Sequence, residues 1–288
     1  MNIPQLIFNG VALGSIFALA AIGLTLTYGI LRLSNFAHGD FMTVGAYSTW
    51  QFHSWGLNLW LAMICGVAVT VAIMLIGELL LWKPMRDRKA SPTSLIILSI
   101  GLAIFLRGGI LIIWGSSLKS YDLPMVPAMD FFGIKVAFYR LVAITLALLA
   151  VGALFLLLRF SKIGKAMRAV ADNLDLARVS GINVETVVLS TWVLTGILTA
   201  LAGANFGLIA VLRPDMGWLV ILPLFASVIL GGIGNPYGAV LGAMIIAIAQ
   251  ELSVAVPFLG SEYKIGVALG IMILVLFIRP QGLFRGTA

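Results

Sequence analysis

Charged residues are scarce in this sequence. Only 10% of its 288 residues are Asp, Glu, Lys or Arg, and 61% are hydrophobic. Soluble domains carry about 25% charged and about 45–50% apolar residues, so a soluble fold of this length would lack the polar surface to cover its core. The composition excludes a soluble protein and predicts a chain embedded in a bilayer.

Cysteine and the common catalytic motifs are also nearly absent. The one cysteine, Cys65, lies inside an apolar run, which excludes an intrachain disulfide or a thiolate metal cluster. The sequence has no Gly-Lys-Ser/Thr phosphate loop, no His-Glu-x-x-His and no Gly-x-Ser-x-Gly. We therefore predict no catalytic residue, no metal and no cofactor, and no ATP hydrolysis through the phosphate-loop fold.

Apolar runs of about 20 residues, the length of a membrane-spanning helix, recur along the chain. Six are clear: residues 6–28, 59–82, 91–114, 138–160, 187–212 and 264–278. Residues 41–54 form a weaker candidate. Residues 217–256 are long enough for two short spans or one re-entrant hairpin, interrupted by the glycine-rich residues 231–236. We predict an all-α, polytopic bundle of about seven to nine spans, forming a single transmembrane domain over residues 1–288, with a broken or re-entrant region.

Lys and Arg in the loops predict the orientation. Four of the seven residues 83–89 are basic, further basic residues lie in 161–185, and Arg279 and Arg285 follow the last span, whereas residues 115–137 carry only Lys119 and Lys135. We expect the first three segments, including the C-terminus, to be cytoplasmic, and the N-terminus to be outside if all nine spans are real.

Two polar segments are candidates for a translocation path. Residues 32–41 lie between two apolar runs, and polar groups at membrane depth must face a cavity or another helix; an ordinary cytoplasmic loop is the alternative. His38 and Asp40 alone are too few for a metal site. Residues 231–238 would expose helix ends that attract a zwitterionic solute, or form only a tight turn. The candidate path residues are Asn35, His38, Asp40, Gly232, Gly234 and Asn235.

A third segment, residues 161–185, reads as an amphipathic helix over 164–179. Ala166, Val170, Leu174 and Ala177 share one face at helical spacing, and Gly181 would end the helix. A helix that docks on a partner would have this pattern, and so would one lying on anionic lipid.

Three ionisable residues stand alone in or beside apolar runs: Glu78, Arg107 and Glu251. Intramembrane charge indicates function by default. The structural alternative is an ion pair of Arg107 with Glu78 or Glu251.

The same segments resemble the LivH-type permeases of branched-chain amino-acid ATP-binding-cassette importers. The motifs are GLTLTYG at 23–29, NFAHGDFM at 35–42, GAY at 45–47, GGIGNPYGA at 231–239 and RPQGLF at 279–284. They occur in order along essentially the whole chain. Residues 164–181 fall where that family has its cytoplasmic coupling segment, although Ala171-Asp172-Asn173 departs from the general Glu-Ala-Ala pattern.

The resemblance implies a transport subunit in the inner (plasma) membrane, with four kinds of partner around it. These are a second, paralogous permease, two ATPase subunits, a periplasmic solute-binding protein and the lipid membrane; no nucleic acid is expected. The ATPase-coupling residues it implies are Gly164, Arg168, Ala171, Asp172, Ala177 and Gly181. The solute would be a branched-chain or other neutral amino acid. Urea or a short amide, a stand-alone ion-driven carrier and an intramembrane enzyme using His38, Asp40 or Glu78 remain open.

Overall fold

The structure, a computed structural model, describes residues 2–131, 133–256, 260–279 and 281–284. Two positions used above, Pro280 and Arg285, lie outside these ranges. The fold is almost entirely helical, which confirms the predicted class. A two-stranded antiparallel hairpin, β1 (Met129–Phe131) and β2 (Ile134–Val136), was not predicted.

Twelve helices are present within the described ranges. They are α1 (Ile3–Leu31), α2 (His38–Ser54), α3 (Leu59–Gly77), α4 (Lys83–Asp87), α5 (Pro92–Trp114), α6 (Phe138–Phe160), α7 (Lys162–Asp172), α8 (Leu174–Val179), α9 (Val184–Ile209), α10 (Met216–Gly231), α11 (Pro236–Ser253) and α12 (Lys264–Ile278). A π-helical turn (Glu78–Trp82) joins α3 to α4, and a 3₁₀ turn (Ser261–Tyr263) precedes α12.

Seven of these segments are long and apolar enough to cross a membrane. The helices α2 and α10 have only 17 and 16 residues, or about 24–26 Å at 1.5 Å per residue, less than the roughly 30 Å hydrocarbon core. Residues 217–256 form two antiparallel helices, α10 and α11. With the short helices α2 and α10, the described part of the chain places nine helices in the bundle.

The two ends of the bundle differ in charge. At the basic end, which carries residues 83–89 and 161–185, Lys83 pairs with Glu185 and Leu283 donates its backbone N–H to the Leu230 carbonyl. At the far end, Asn2 donates to the Gly133 carbonyl, so the N-terminus lies beside the hairpin. This agrees with the segregation of basic residues that the sequence predicted.

The helices form two halves of opposite direction, α1–α2–α3–α5 and α9–α10–α11–α12. In each half a long helix is followed by a short one that starts inside the bundle. The helices correspond in order: α1 to α9, α2 to α10, α3 to α11 and α5 to α12. Each contact in one half has its counterpart, since α1 packs on α11 and α9 on α3. Likewise, α2 packs on α3 and α5, and α10 packs on α11 and α12. Because α1 ends where α9 begins, the halves form an inverted repeat, a common plan among transporters, and α6 connects them.

Candidate functional site

The first break, residues 32–37, turns the chain back into the bundle. Arg32 adopts a left-handed conformation (φ 53°) and ends α1. The Asn35 side-chain oxygen accepts from the Ala37 N–H at 3.1 Å, and the Ser99 hydroxyl of α5 accepts from the Phe36 N–H at 3.1 Å. The side chains of Asn35 and Ser99 therefore accept hydrogen bonds from backbone N–H groups that have no partner within a helix, as non-helical backbone in a membrane protein requires.

His38 begins α2 well inside the bundle. Its Nε2 lies 2.8 Å from the Ala20 carbonyl of α1 and 3.3 Å from the Thr199 hydroxyl of α9. Ala20 precedes the end of α1 by 11 residues, about 16 Å along the helix. Asn35, His38 and Asp40 are all fully buried, so the segment is not an ordinary surface loop. It joins α2 to the long helices of both halves.

The two short helices cross at their second residues. Gly39 of α2 and Gly217 of α10 pack backbone to backbone, and a Cβ on either would overlap the carbonyl oxygen of the other. The Thr43 hydroxyl accepts from the Gly217 N–H at 3.0 Å, satisfying one of the donors that a helix N-terminus leaves open. Two helix N-termini, each the positive end of a helix dipole, thus meet near the centre of the bundle.

Arg107 of α5 contacts the residue after each crossing glycine. Its Nε and Nη2 donate to the two carboxylate oxygens of Asp40 at 3.2 and 3.3 Å. Its guanidinium also lies 4.9 Å from the centroid of the Trp218 ring, within cation–π range. The sequence had suggested Glu78 or Glu251 as the ion-pair partner of Arg107, and this is wrong. The break before α2 turns the chain back into the bundle and brings Asp40 to the depth of Arg107.

Glu78 and Glu251 have other partners. Glu78 is 2% exposed, binds Arg86 through both of its oxygens and accepts from the Trp192 Nε1–H at 2.7 Å. The π-helical turn that begins at Glu78 brings Arg86 back towards it. Glu251 pairs with Lys264 at the far end.

The glycine-rich segment 231–238 lies at the basic end, away from the crossing. Gly232 and Gly234 have positive φ values of 101° and 87°, and the Gly234 N–H donates to the Thr25 hydroxyl at 2.9 Å. The Asn235 side chain caps α11 by accepting from the N–H groups of Tyr237 and Gly238 at 3.0 and 3.1 Å. The six candidate path residues therefore fall into two groups, three at the crossing and three in this turn.

The predicted amphipathic helix is two helices, because Asn173 leaves the helical conformation and caps α8 through the Leu176 N–H. Leu174, predicted to share one face with Ala166, Val170 and Ala177, is exposed for this reason, while Val170 and Ala177 are buried.

The end of α8 is as predicted. At Gly181 (φ 84°), the N–H donates to the Arg178 carbonyl, and the Ile182 N–H donates to the Ala177 carbonyl. This is the glycine-terminated ending common in helices.

Helix α7 and the glycine-rich turn share a cavity of about 490 Å³. Its walls include Arg168, Ala171 and Asp172 from α7, and Gly234, Asn235 and Tyr237 from the turn and α11. Arg168 also donates to the Leu158 carbonyl of α6. Two segments that the sequence treated as separate sites therefore lie against each other. Sequence reasoning missed Thr43, Gly217 and Trp218. Their only sequence signal was their position near the start of the apolar segments 41–54 and 217–256.

An inverted repeat whose half-helices meet in the middle of the bundle defines a multi-pass membrane transport protein. The particular family follows from sequence: the chain belongs to the permease components of branched-chain amino acid transport systems, whose family description matches residues 6–276. This confirms the resemblance drawn from the motifs and does not favour the urea, carrier or enzyme alternatives.

Individual relatives agree over nearly the whole chain. The high-affinity branched-chain amino acid transport system permease protein LivH of Escherichia coli strain K12 is 34% identical over 296 residues, covering 97% of this chain and 94% of that protein. The probable LivH of Methanocaldococcus jannaschii is 33% identical over 294 residues, covering 97% and 92%. LivM of Escherichia coli strain K12 is 24% identical over 300 residues, covering 94% and 68%. This chain is therefore similar to both kinds of permease named in these transport systems.

Among solved structures, PsaBC from Streptococcus pneumoniae in complex with Fab has a similar fold. The TM-score is 0.50 at 12% sequence identity, covering 98% of this chain and 93% of that chain. At this identity the likeness concerns the fold alone.

Proposed function

We propose that this chain is one of two paralogous membrane-spanning subunits of an ATP-binding-cassette importer for branched-chain or other neutral amino acids. The observation that carries the proposal is the family match over residues 6–276, together with the similarity to both LivH and LivM. A pair of ATPase subunits would supply the energy and a periplasmic binding protein would deliver the solute.

In this proposal the basic end faces the cytoplasm, because basic loops remain on that side of a membrane. The C-terminus is then cytoplasmic and the N-terminus is outside. The segment α7–α8 becomes the site at which the ATPase docks. Three exposed apolar side chains on α8, those of Leu174, Leu176 and Val179, support this role because they have no cover in the described chain and match an apolar groove on a partner.

The first test is ATP-driven uptake. The chain is co-purified with the proteins that bind it, reconstituted in liposomes, and assayed with radiolabelled leucine and the loaded binding protein. We expect an ATPase pair and a second permease to co-purify, and uptake to require internal ATP. Leucine uptake by this chain alone without ATP would instead identify an ion-driven carrier.

Gly181→Val tests the coupling role of α7–α8. A β-branched residue at a φ of 84° is strained by about 1–2 kcal/mol or more, so the end of α8 should shift. We expect the displaced segment to raise the barrier of the coupled step by a similar amount, so that uptake falls about tenfold, while ATP hydrolysis continues without stimulation by the loaded binding protein. Gly133→Val, which has a similar φ of 80° at the far end, is the matched control and should transport normally. Normal coupling in Gly181→Val would remove the docking role.

Asn235→Leu tests the glycine-rich turn. Losing the cap of α11 should cost about 1 kcal/mol and loosen the wall of the cavity shared with α7, so we expect slower uptake with unchanged ATPase binding. Asn235→Ser keeps a capping oxygen and should restore the rate. If the Asn235→Leu variant transports with unchanged kinetics, residues 231–238 form only a turn. If Asn235→Ser is impaired as strongly as Asn235→Leu, the Asn235 amide itself contacts the solute.

A further inference from the structure

One outer face of the bundle differs from the others. Arg107 packs on Trp218 of α10, and the Phe225 ring, further along α10, stacks 4.7 Å from the Phe36 ring of the first break. Ser34 and Phe225 line the same small cavity. With Leu222, which lies between Trp218 and Phe225 on this side of α10, these residues form a continuous surface, which we call the Arg107 face.

The Arg107 face carries two features that lipid does not accommodate. The Arg107 side chain is 22% exposed about two-thirds of the way along α5, and its Nη1 has no acceptor among the described residues. The first break, whose backbone is not helical, also reaches the surface, because Ser34 and Phe36 are only partly buried. Intramembrane charge and non-helical backbone at this depth are tolerated only against protein or in a water-filled cavity.

Other outer surfaces look different. The outward side of α12 presents Ile273, Leu274 and Phe277, which are 60–90% exposed, on a regular helix. The outward side of α6 presents leucines such as Leu148 and Leu149. These surfaces suit contact with lipid chains, and the contrast indicates that the Arg107 face points towards the transport route.

We propose that the Arg107 face lines the translocation path and that the unused Nη1 of Arg107 binds the carboxylate of the passing amino acid. This rests on the proposed function, because it supplies the solute-recognising group that an amino-acid importer needs. Arginine holds carboxylates with a fixed fork of donors. The exposed apolar surfaces of Trp218 and Leu222, 41% and 38% exposed, lie where an aliphatic side chain would pack.

Asp40 sets the strength of this site. Being fully buried and bound through both oxygens, it fixes the guanidinium on one side and leaves Nη1 directed away from it. The Arg107–Asp40 pair is close to neutral overall, and so is a zwitterionic amino acid, so binding adds no large unbalanced charge in the membrane. The guanidinium and the positive ends of two helices attract the solute carboxylate. Weak, reversible binding of this kind suits a path that must release its solute.

The test compares two ion pairs replaced by neutral groups of similar shape in the complete importer. D40N/R107Q removes the proposed site; E251Q/K264Q, the control, removes the interhelical pair at the far end. Both complexes are reconstituted with the ATPase, the second permease and the binding protein. We expect D40N/R107Q to lower leucine uptake about 10- to 100-fold, because a hydrogen bond to a charged group contributes about that much to binding. The control should stay near the wild-type rate.

A second readout separates recognition from structure. The fluorescence of Trp218, assigned by comparison with W218F, is titrated with L-leucine and with L-leucinamide, which lacks the carboxylate. We expect a saturable change with leucine in the wild type, none with leucinamide, and none in D40N/R107Q at an unchanged melting temperature. The variant R107K keeps the positive charge but lacks the planar set of donors of arginine. It should bind leucine more weakly than the wild type.

Three results would overturn the proposal. They are wild-type uptake by D40N/R107Q, an equal response to leucinamide and leucine, and loss of the second permease from the D40N/R107Q complex, which would make Arg107 an assembly residue. Failure of the proposed function looks different, since the wild-type complex itself would then take up no leucine with ATP.

Discussion

Gly217→Ala and Gly39→Ala are each expected to prevent the protein from folding correctly. At both positions the added methyl group would overlap a backbone carbonyl of the other short helix. A backbone atom held in its own helix cannot rotate away as a flexible side chain can. Overpacking a well-packed interior costs about 1–3 kcal/mol and sometimes more, and here the two half-helices would have to separate.

The matched control is Gly108→Ala on α5. Gly108 is also inside a long helix, but apart from the adjoining residues and backbone of its own helix no atom lies within 4 Å of its added Cβ. Alanine favours helix over glycine by about 1 kcal/mol, so this variant should be as stable as the wild type or slightly more so. The measurement is the thermal midpoint of the detergent-purified protein, followed by tryptophan fluorescence, together with its yield in membranes. Equal midpoints for Gly217→Ala and Gly108→Ala would show that the helices do not cross as described.

Replacing Glu78 with alanine should destabilise the basic end of the bundle. Glu78 is buried, and its loss leaves Arg86 without its carboxylate and the buried Trp192 Nε1–H without an acceptor. Removing one partner of a buried ion pair costs about 3–5 kcal/mol. The π-helical turn between α3 and α4 should lose its fixed shape, because the Glu78–Arg86 contact closes it.

Glu185→Ala provides the comparison for Glu78. Glu185 also pairs with a basic residue at the same end, but its side chain is 75% exposed and that of Lys83 is 43% exposed. Water and salt screen such a pair, so its removal should leave the thermal midpoint unchanged within error. Similar midpoints for the two alanine variants would mean that the Glu78 cluster is solvated rather than buried.

Hydropathy predicted the long helices closely. The bounds of α6 and α12 agree with the predicted runs, and those of α1, α5 and α9 differ by up to three residues at an end. The run predicted at 59–82 comprises α3 and the π-helical turn that follows it. This success has a simple physical reason: a spanning helix satisfies its own backbone, so its limits depend on local composition. The seven-to-nine uncertainty arose from residues 217–256, which the sequence left open as two short spans or one re-entrant hairpin. The helix α10 in this segment has only 16 residues, fewer than the roughly 20 of a full span.

The interior pairings could not be predicted in the same way. Asp40 and Arg107 are 67 residues apart, and their meeting depends on how far the first break returns into the bundle. By contrast, the division between α7 and α8 had a local signal, since Asn173 is a preferred residue for beginning a helix. The inverted repeat was not predicted from the sequence, because it becomes apparent only in how the helices pack.

The packing of α1 against α11 has a consequence for how the protein is made. Gly10 and Gly14 of α1 fit against Ile248 and Met244 of α11, yet about 200 residues separate the end of α1 from the start of α11. At 5–20 residues per second, a ribosome needs roughly 10–40 s to cover that distance. During that interval the first helix enters the membrane without its main partner. Newly made chains should therefore depend on lipid, the insertion machinery or α9 to hold α1 until the last quarter of the protein emerges.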